Sequence, residues 1–371
     1  MNAKIYTSGD TLPKGLMEDN FFHSPQFFAL CQQTPRHRPY MVTLVDDNGS
    51  LLAQMLAVVR YRTSWFPPYY FMHCRIMGEG VYKAIEVPPS HVPTVASDKK
   101  SSASPKGDTS PAKQTNEATS GGVGGASLFG QMLQALTSKL GPRMLYVEVS
   151  HLSHKMFGYR QLRAARYFPV RWMSIHNSLH SRTPEERITP ALQQRIDNAY
   201  ARGIITDEVK SEEDFKEFMK LLRHHNWLKP KRYIPADEFF RPFSGLPATE
   251  GKDAIRLTDD GRLYLTRYHN RVVGCSAVVY SNHQAYLWYA AYRRKSFAWV
   301  HPRELTIWHA IKDAHSRGYE HIYFMDVGLP FRKNKFRDFI LRFGGKPAST
   351  YRWFRCSIKW INSLLSWFYH D

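Results

Sequence analysis

The stretch from Arg262 to Gly345 constrains the fold of this chain most. Three runs, Arg262–Tyr268, Arg271–Tyr280 and Gln284–Tyr292, are rich in β-branched and aromatic residues, with turn signals at Asn270 and Asn282. They predict three consecutive antiparallel strands. A basic loop, Arg293-Arg294-Lys295-Ser296, follows, then a helical pattern opening at Pro302. Next come a buried-looking strand, His321–Val327, ending in Asp-Val-Gly, and the segment Lys333–Gly345. A polar loop before a helix at the end of a sheet can hold phosphates. Chemistry is therefore expected in this half of the chain.

A length of 371 residues suits two domains. The 43% hydrophobic content is enough for real cores and excludes wholesale disorder. Lys and Arg number 51 against 32 Asp and Glu, a net charge of +19, which attracts polyanions: nucleic acid, phosphorylated carriers or an anionic membrane surface. Cys31, Cys74, Cys275 and Cys356 are scattered without zinc-ligand spacing, so no metal is expected and buried thiols in a reducing compartment are. The N-terminus has no apolar core of signal-peptide length, and no apolar run is long enough to span a bilayer. The simplest location is cytoplasmic, with association at the inner face of a membrane left open.

Before this stretch, Ser24 and Pro25 read as the N-cap and first position of a helix that turns Phe27, Phe28 and Leu30 inward. Tyr40–Val45 and Leu51–Tyr61 read as a hairpin about Asp46-Asp47-Asn48-Gly49. From Pro88 to Ala126 the chain is Ser, Thr, Pro, Lys, Gly and Ala without an aromatic residue, which predicts a disordered insertion in the first domain. Order is expected again with the helix Leu128–Leu140 and the strand Met144–Val149. A connection, Gly158–Tyr167, leads to the strand Pro169–His176. The helices Pro190–Arg202 and Glu212–Trp227 follow, then a short helix at Asp237–Phe243. A similar order of elements thus occurs twice, as in a mixed α/β architecture with helices on the sheet faces.

FFHSPQFFAL with GSLLAQMLAVVRY, LQQRIDNAYARGI with EEDFKEFMKLLRHH, LYLTRYHNRVVGCSAVVYSNHQAYLWYAA with HPRELTIWHAIKDAHSRGYEHIYFMDVG, and KFRDFILRFGGKP occur in an order that resembles the FemAB-like branch of the GNAT-fold acyltransferases, in particular proteins with a BioF2-like acetyltransferase domain. The resemblance covers most of the chain outside the Pro88–Ala126 insertion. It implies two GNAT-like domains side by side, here 1–158 and 159–348, each with a mixed, mostly antiparallel sheet flanked by helices. A C-terminal segment, 349–371, would be helical and return to the first domain. It also implies transfer of an acyl group to an amine from acyl-CoA or, in one branch, aminoacyl-tRNA. The GNAT phosphate signature, Gln/Arg-x-x-Gly-x-Gly/Ala, is absent; Arg293-Arg294-Lys295-Ser296-Phe297-Ala298-Trp299 stands in its place.

Acyl transfer to an amine requires a deprotonated amine and stabilisation of the carbonyl oxygen as it becomes an oxyanion. Backbone N–H groups freed by a bulge or splay can supply the latter. Tyr289, Ala290 and Ala291, at the end of the third strand, are candidates for this site, and the small alanines allow close approach; ordinary strand packing is the alternative. Trp288 and Tyr289 should alternate across the strand, one towards the core and one towards a ligand cleft. Arg293, Arg294, Lys295 and Ser296 are the candidates for phosphate binding before the Pro302 helix, with a solvated basic turn as the alternative. Asp326 can act as a base or orient an amine, or instead cap a turn or pair with Arg332. Lys333 and Arg337, beside an apolar stripe, can hold a substrate phosphate or simply be solvated. Ile358, Ile361, Leu365 and Phe368, widened by Trp360, Leu364 and Trp367, form an apolar helical face, either packed back on the protein or placed at a membrane interface. Two functions fit: an N-acyltransferase acting on an amino sugar, a cell-envelope precursor or a peptide, and a non-catalytic GNAT-fold module that binds nucleic acid or an anionic membrane.

Overall fold

The computed structural model describes residues 1–7, 12–64, 69–83, 123–142, 144–226, 233–247, 255–293, 296–325, 327–331 and 333–369. In the first half the chain runs through β1 (Asn2–Thr7), α1 (Pro25–Gln33), β2 (His37–Val45), β3 (Leu51–Ser64), β4 (Tyr69–Met77), β5 (Val81–Tyr82), α2 (Val123–Leu140), β6 (Tyr146–Ser150), α3 (Tyr159–Ala164) and β7 (Phe168–Ser178). The second half contains α4 (Pro190–Ala201), β8 (Ile204–Glu208), α5 (Glu212–Asn226), α6 (Asp237–Phe240), β9 (Gly261–Tyr268), β10 (Arg271–Ser281), β11 (Gln284–Tyr292), α7 (Pro302–Ser316), β12 (His321–Phe324), α8 (Lys335–Ile340), β13 (Lys346–Cys356) and α9 (Lys359–Phe368).

The N-terminal signals act as their chemistry dictates. Ser24 Oγ accepts from Phe27 N at 3.1 Å, and Pro25 opens α1, whose Phe27, Phe28 and Leu30 are buried. Asp46 Oδ1 accepts from Asn48 N and Ser50 N and closes the β2–β3 hairpin. Four expectations change. Helix α2 begins at Val123, inside the segment assigned to the insertion, and 84–122 lies outside the described residues. The connection at Gly158–Tyr167 contains α3, and Ile204–Glu208, after Gly203, is a strand. Lys346–Cys356 is a strand rather than the start of a helix, because it pairs with β6 and β7 and sends Tyr351 and Trp353 to one face of the sheet and Arg352 to the other before the helical spacing begins.

The thirteen strands among the described residues join one mixed sheet in the order β1-β2-β3-β4-β6-β13-β7-β12-β11-β10-β9-β8, with β5 on β3. The last strand, β13, lies between β6 and β7 and is antiparallel to both, so the C-terminal strand joins the two halves of the sheet. The strands bury alternate residues on opposite faces. Met41, Leu56 and Val58 share one cluster with Cys275, Trp288, Phe218 and Phe239, so both halves pack on α1, α5 and α6. The opposite face is covered by α2 in the first half and α7 in the second. Burying a Phe or Leu side chain stabilises by about 1.5–3 kcal/mol, so the shared cluster is a substantial tie between the halves.

Candidate functional site

The site begins with a fault in β11. Its register with β10 runs from Ser281↔Gln284 to Val278↔Leu287, then jumps to Ala277↔Tyr289, leaving Trp288 as an extra residue. A β-bulge of this kind leaves part of the backbone unpaired and turns the strand. On its other edge β11 is parallel to β12 only from Gln284↔His321 to Leu287↔Phe324. Met325 N donates to Leu287 O at 3.4 Å, and no ladder to β12 continues along Trp288–Tyr292 among the described residues. The two parallel strands therefore part beside the bulge.

The bulge overturns the expected alternation of Trp288 and Tyr289. Both rings lie in the shared core, 29° apart in orientation, Trp288 against Phe27 and Phe239 and Tyr289 against Phe240. The Trp288 side chain thus supports the strand from the core, and it is the strand backbone that borders the parting. Ala290 and Ala291 are buried on opposite faces. The close packing of α7 beneath depends on Gly274, opposite Tyr292, where a Cβ would lie 2.0 Å from Thr306 Oγ1.

The basic loop after β11 is not a single cluster. Arg293 is exposed; its Nε donates to Val272 O at 2.8 Å, and it lines a groove of about 370 Å³ with Asp214, Glu217, Arg267 and Arg271, on the α5 side of the sheet. Ser296 is exposed. Arg294, Lys295, Asp326 and Arg332 lie outside the described residues. Across the parting, Asn334 Oδ1 caps α8 while its Nδ2 donates to Val327 O, and Arg337 Nη1 donates to Leu329 O, which together pin the loop after β12. Lys333 is exposed on this loop.

Arg303, in the first turn of α7, was not singled out by sequence reasoning. Its guanidinium lies 3.4 Å from the Phe339 ring centroid of α8 and 5.5 Å from that of Tyr292 at the end of β11. It therefore bridges the elements on either side of the parted strands. Helix α7 begins after His301 at φ 51° without a side-chain cap. A helix start with this cation beside it favours negative charge. The signal in the sequence was a cation one residue after the helix-opening proline.

A second polar feature crosses the sheet on the shared-core face. Arg60 of β3, His73 and Arg75 of β4, Tyr146 and Glu148 of β6, and Arg352 of β13 form neighbouring cross-strand positions. Glu148 Oε1 lies 3.6 Å from Arg75 Nε and 3.3 Å from Arg352 Nη1, and Arg352 stacks 4.0 Å over Trp172 of β7. Arg60, at the edge of this strip, lies 5.8 Å from the Tyr233 ring, and its buried Nε has no hydrogen-bond partner. Two guanidinium groups thus share one carboxylate on a buried floor, with Arg60 at its edge. Burial, reinforced by the nearby arginines, lowers the His73 pKa to about 3; burial and Arg60 do the same to His37. Both imidazoles are neutral at neutral pH, so the positive charge resides on the arginines. A buried guanidinium donor without a hydrogen-bond partner among the described residues, as at Arg60, is one that an anion can complete. Charged residues inside otherwise apolar strands, as in AVVRYR and YVEVS, were its sequence signal. No group of three or more His, Cys, Asp or Glu side chains is placed to hold a metal among the described residues.

Residues 191–354 match the family model of the acetyltransferase (GNAT) domain. The fold is similar to that of FemX, at 9% identity over 94% of each chain with a TM-score of 0.55. It is also similar to L-PGS from Bacillus licheniformis, at 10% identity over 93% of this chain and 92% of that one with a TM-score of 0.50. No curated protein matches the sequence.

Proposed function

We propose that this chain, whose residues 191–354 form an acetyltransferase domain of the GNAT superfamily within a FemAB-like architecture, moves an acyl or aminoacyl group from a phosphorylated carrier, acyl-CoA or aminoacyl-tRNA, to an amine acceptor of the cell envelope. The observation that carries this reading is the bulge at Trp288 where β11 parts from β12. Acyl transfer needs donors at the place where charge develops, and a bulged strand edge presents them without reorganisation. The donor's reacting end is assigned to the backbone of Trp288–Ala291. Its phosphates are assigned to the loop of Arg293–Ser296 and the first turn of α7, with Arg303 as the bridging cation. Lys333 and Arg337 flank the acceptor, and the arginine floor takes an anionic group on the acceptor.

The chemistry is a single displacement. The amine nitrogen attacks the acyl carbon and forms the amide bond, the carbonyl oxygen carries negative charge transiently, and the carrier thiolate or ribose oxygen departs. Asp326 is assigned the role of the base that takes the amine proton, which then passes to the departing thiolate or ribose oxygen; Tyr289, its ring packed on Phe240 in the core, contributes backbone alone. The wet surroundings of Lys333 and Arg293 suit the entry of large charged substrates.

Thermal-shift and transfer assays with acyl-CoAs and aminoacyl-tRNA test the proposal. One donor class should raise Tm and give labelled amide product. Arg303→Ala should weaken that donor's binding about tenfold or more, the expected loss of a charge-assisted contact. If neither donor class stabilises the protein or yields product, the assignment fails.

A further inference from the structure

The last helix is inverted. Along α9 the residue buried against the protein is polar: Asn362 Oδ1 accepts from Cys356 N at 2.8 Å, and its Nδ2 donates to Arg166 O at 3.0 Å. The residues turned to solvent are apolar. Trp360, Leu364, Trp367 and Phe368 are 69%, 54%, 76% and 70% exposed. At 3.6 residues per turn these four occupy one continuous arc, opposite Asn362. Of the face the sequence offered for either packing or a membrane, Ile361 and Leu365 are half-buried against the protein, whereas Trp360, Leu364, Trp367 and Phe368 stay outside, because Asn362 and its two backbone hydrogen bonds fix the orientation of the helix.

Water is a poor medium for such a face, and the charge beside it selects a better one. A groove of about 230 Å³ opens at the N-terminal end of α9 and is lined by Arg166, Arg355 and Lys359. No carboxylate lines it, and no ion pair joins these three cations to an acid among the described residues. The sequence from Lys346 to His370 contains no Asp or Glu. The α9 helix is ten residues long, about 15 Å, and no helix among the described residues is long and apolar enough to cross a membrane. Tryptophans on an apolar arc beside a cationic groove match the layers of a bilayer surface, acyl chains below and phosphate headgroups above.

We infer that α9 lies flat in the surface of an anionic membrane, its Trp360–Phe368 arc among the acyl chains and the Arg166–Arg355–Lys359 groove on lipid phosphates. None of these residues belongs to the parted strands, and vesicle binding is read without acyl transfer, so the two tests are independent. The experiment is cosedimentation of the full chain with vesicles of phosphatidylcholine alone and with phosphatidylglycerol added. Binding should require the anionic lipid and fall with salt. Replacing Trp360, Leu364, Trp367 and Phe368 together by Ser should reduce binding at least about tenfold, with Tm unchanged because these side chains are exposed. Arg355→Gln and Lys359→Gln should each reduce it about fivefold. The inference is overturned if the wild type does not sediment with anionic vesicles or if the serine variant binds equally well. It is also overturned if the arc instead drives self-association, seen by analytical ultracentrifugation as a dimer that the serine variant abolishes while vesicle binding is absent.

Discussion

Acidification should destabilise this protein through three histidines that the fold keeps neutral. His23, His37 and His73 are 0%, 8% and 6% exposed. Burial is the main cause in each and lowers their pKa values from 6.5 to about 4, about 3 and about 3. In the unfolded chain each takes up a proton near its ordinary value; in the folded chain none does until the pH is far lower. Between those limits the unfolded state holds more protons, so the stability present above the ordinary value is lost as pH falls towards the folded one. Going from about pH 7.5 to about pH 5 should remove about 2 kcal/mol per histidine, and at most about 6 kcal/mol for the three. Against a typical total of about 5–15 kcal/mol this is a large fraction. His73 and His37 influence one another, so their sum is a ceiling. Urea denaturation at the two pH values, for wild type and His73→Gln, isolates one contribution. The stability gap between the two proteins should shrink by about 2 kcal/mol at the lower pH. Pyrophosphate bound on the arginine floor should raise the His73 pKa and shrink that change. A gap that stays constant with pH would refute the claim that the fold holds His73 neutral.

Two further outcomes follow from packing and charge. Gly274→Ala forces a Cβ into Thr306 Oγ1 and should destabilise by about 1–3 kcal/mol, measured by urea midpoint; Thr306→Ala in that background should recover part of the loss, and no recovery would mean that the strain lies elsewhere. Glu148→Gln leaves Arg75 and Arg352 without their shared carboxylate and should cost about 3–5 kcal/mol, partly restored by added pyrophosphate; a loss below about 1 kcal/mol would show that the floor is solvated.

Much of the second half was legible from local chemistry. The strands β9, β10 and β11 alternate strongly and are separated by Asn-containing turns, and Pro302 opens α7 because its fixed φ suits a first helical position. The Ser24–Pro25 start and the Asp46 turn were legible for the same reason: the side chain that makes the signal also makes the hydrogen bond. Of the proposed site, the end of β11 and its alanines could be singled out because they close a strongly alternating strand. It missed Arg303, because one cation at a helix start is common. It missed the arginine floor, because Arg60, Arg75, Glu148 and Arg352 are far apart in sequence and meet only through strand pairing.

The sequence by itself determined the mixed α/β class, the order of most elements and the caps and turns that bound several of them, since these depend on periodicity and on hydrogen bonds between near neighbours. Only the tertiary structure decided three other matters. The bulge at Trp288 put two successive rings on one face, which no period-two reading can foresee. The insertion of β13 between β6 and β7 joined the halves into one sheet, a pairing over long sequence separations. The seating of α9 on Asn362 turned part of its apolar face outward, because two backbone hydrogen bonds fixed an orientation that its hydrophobic pattern alone left open.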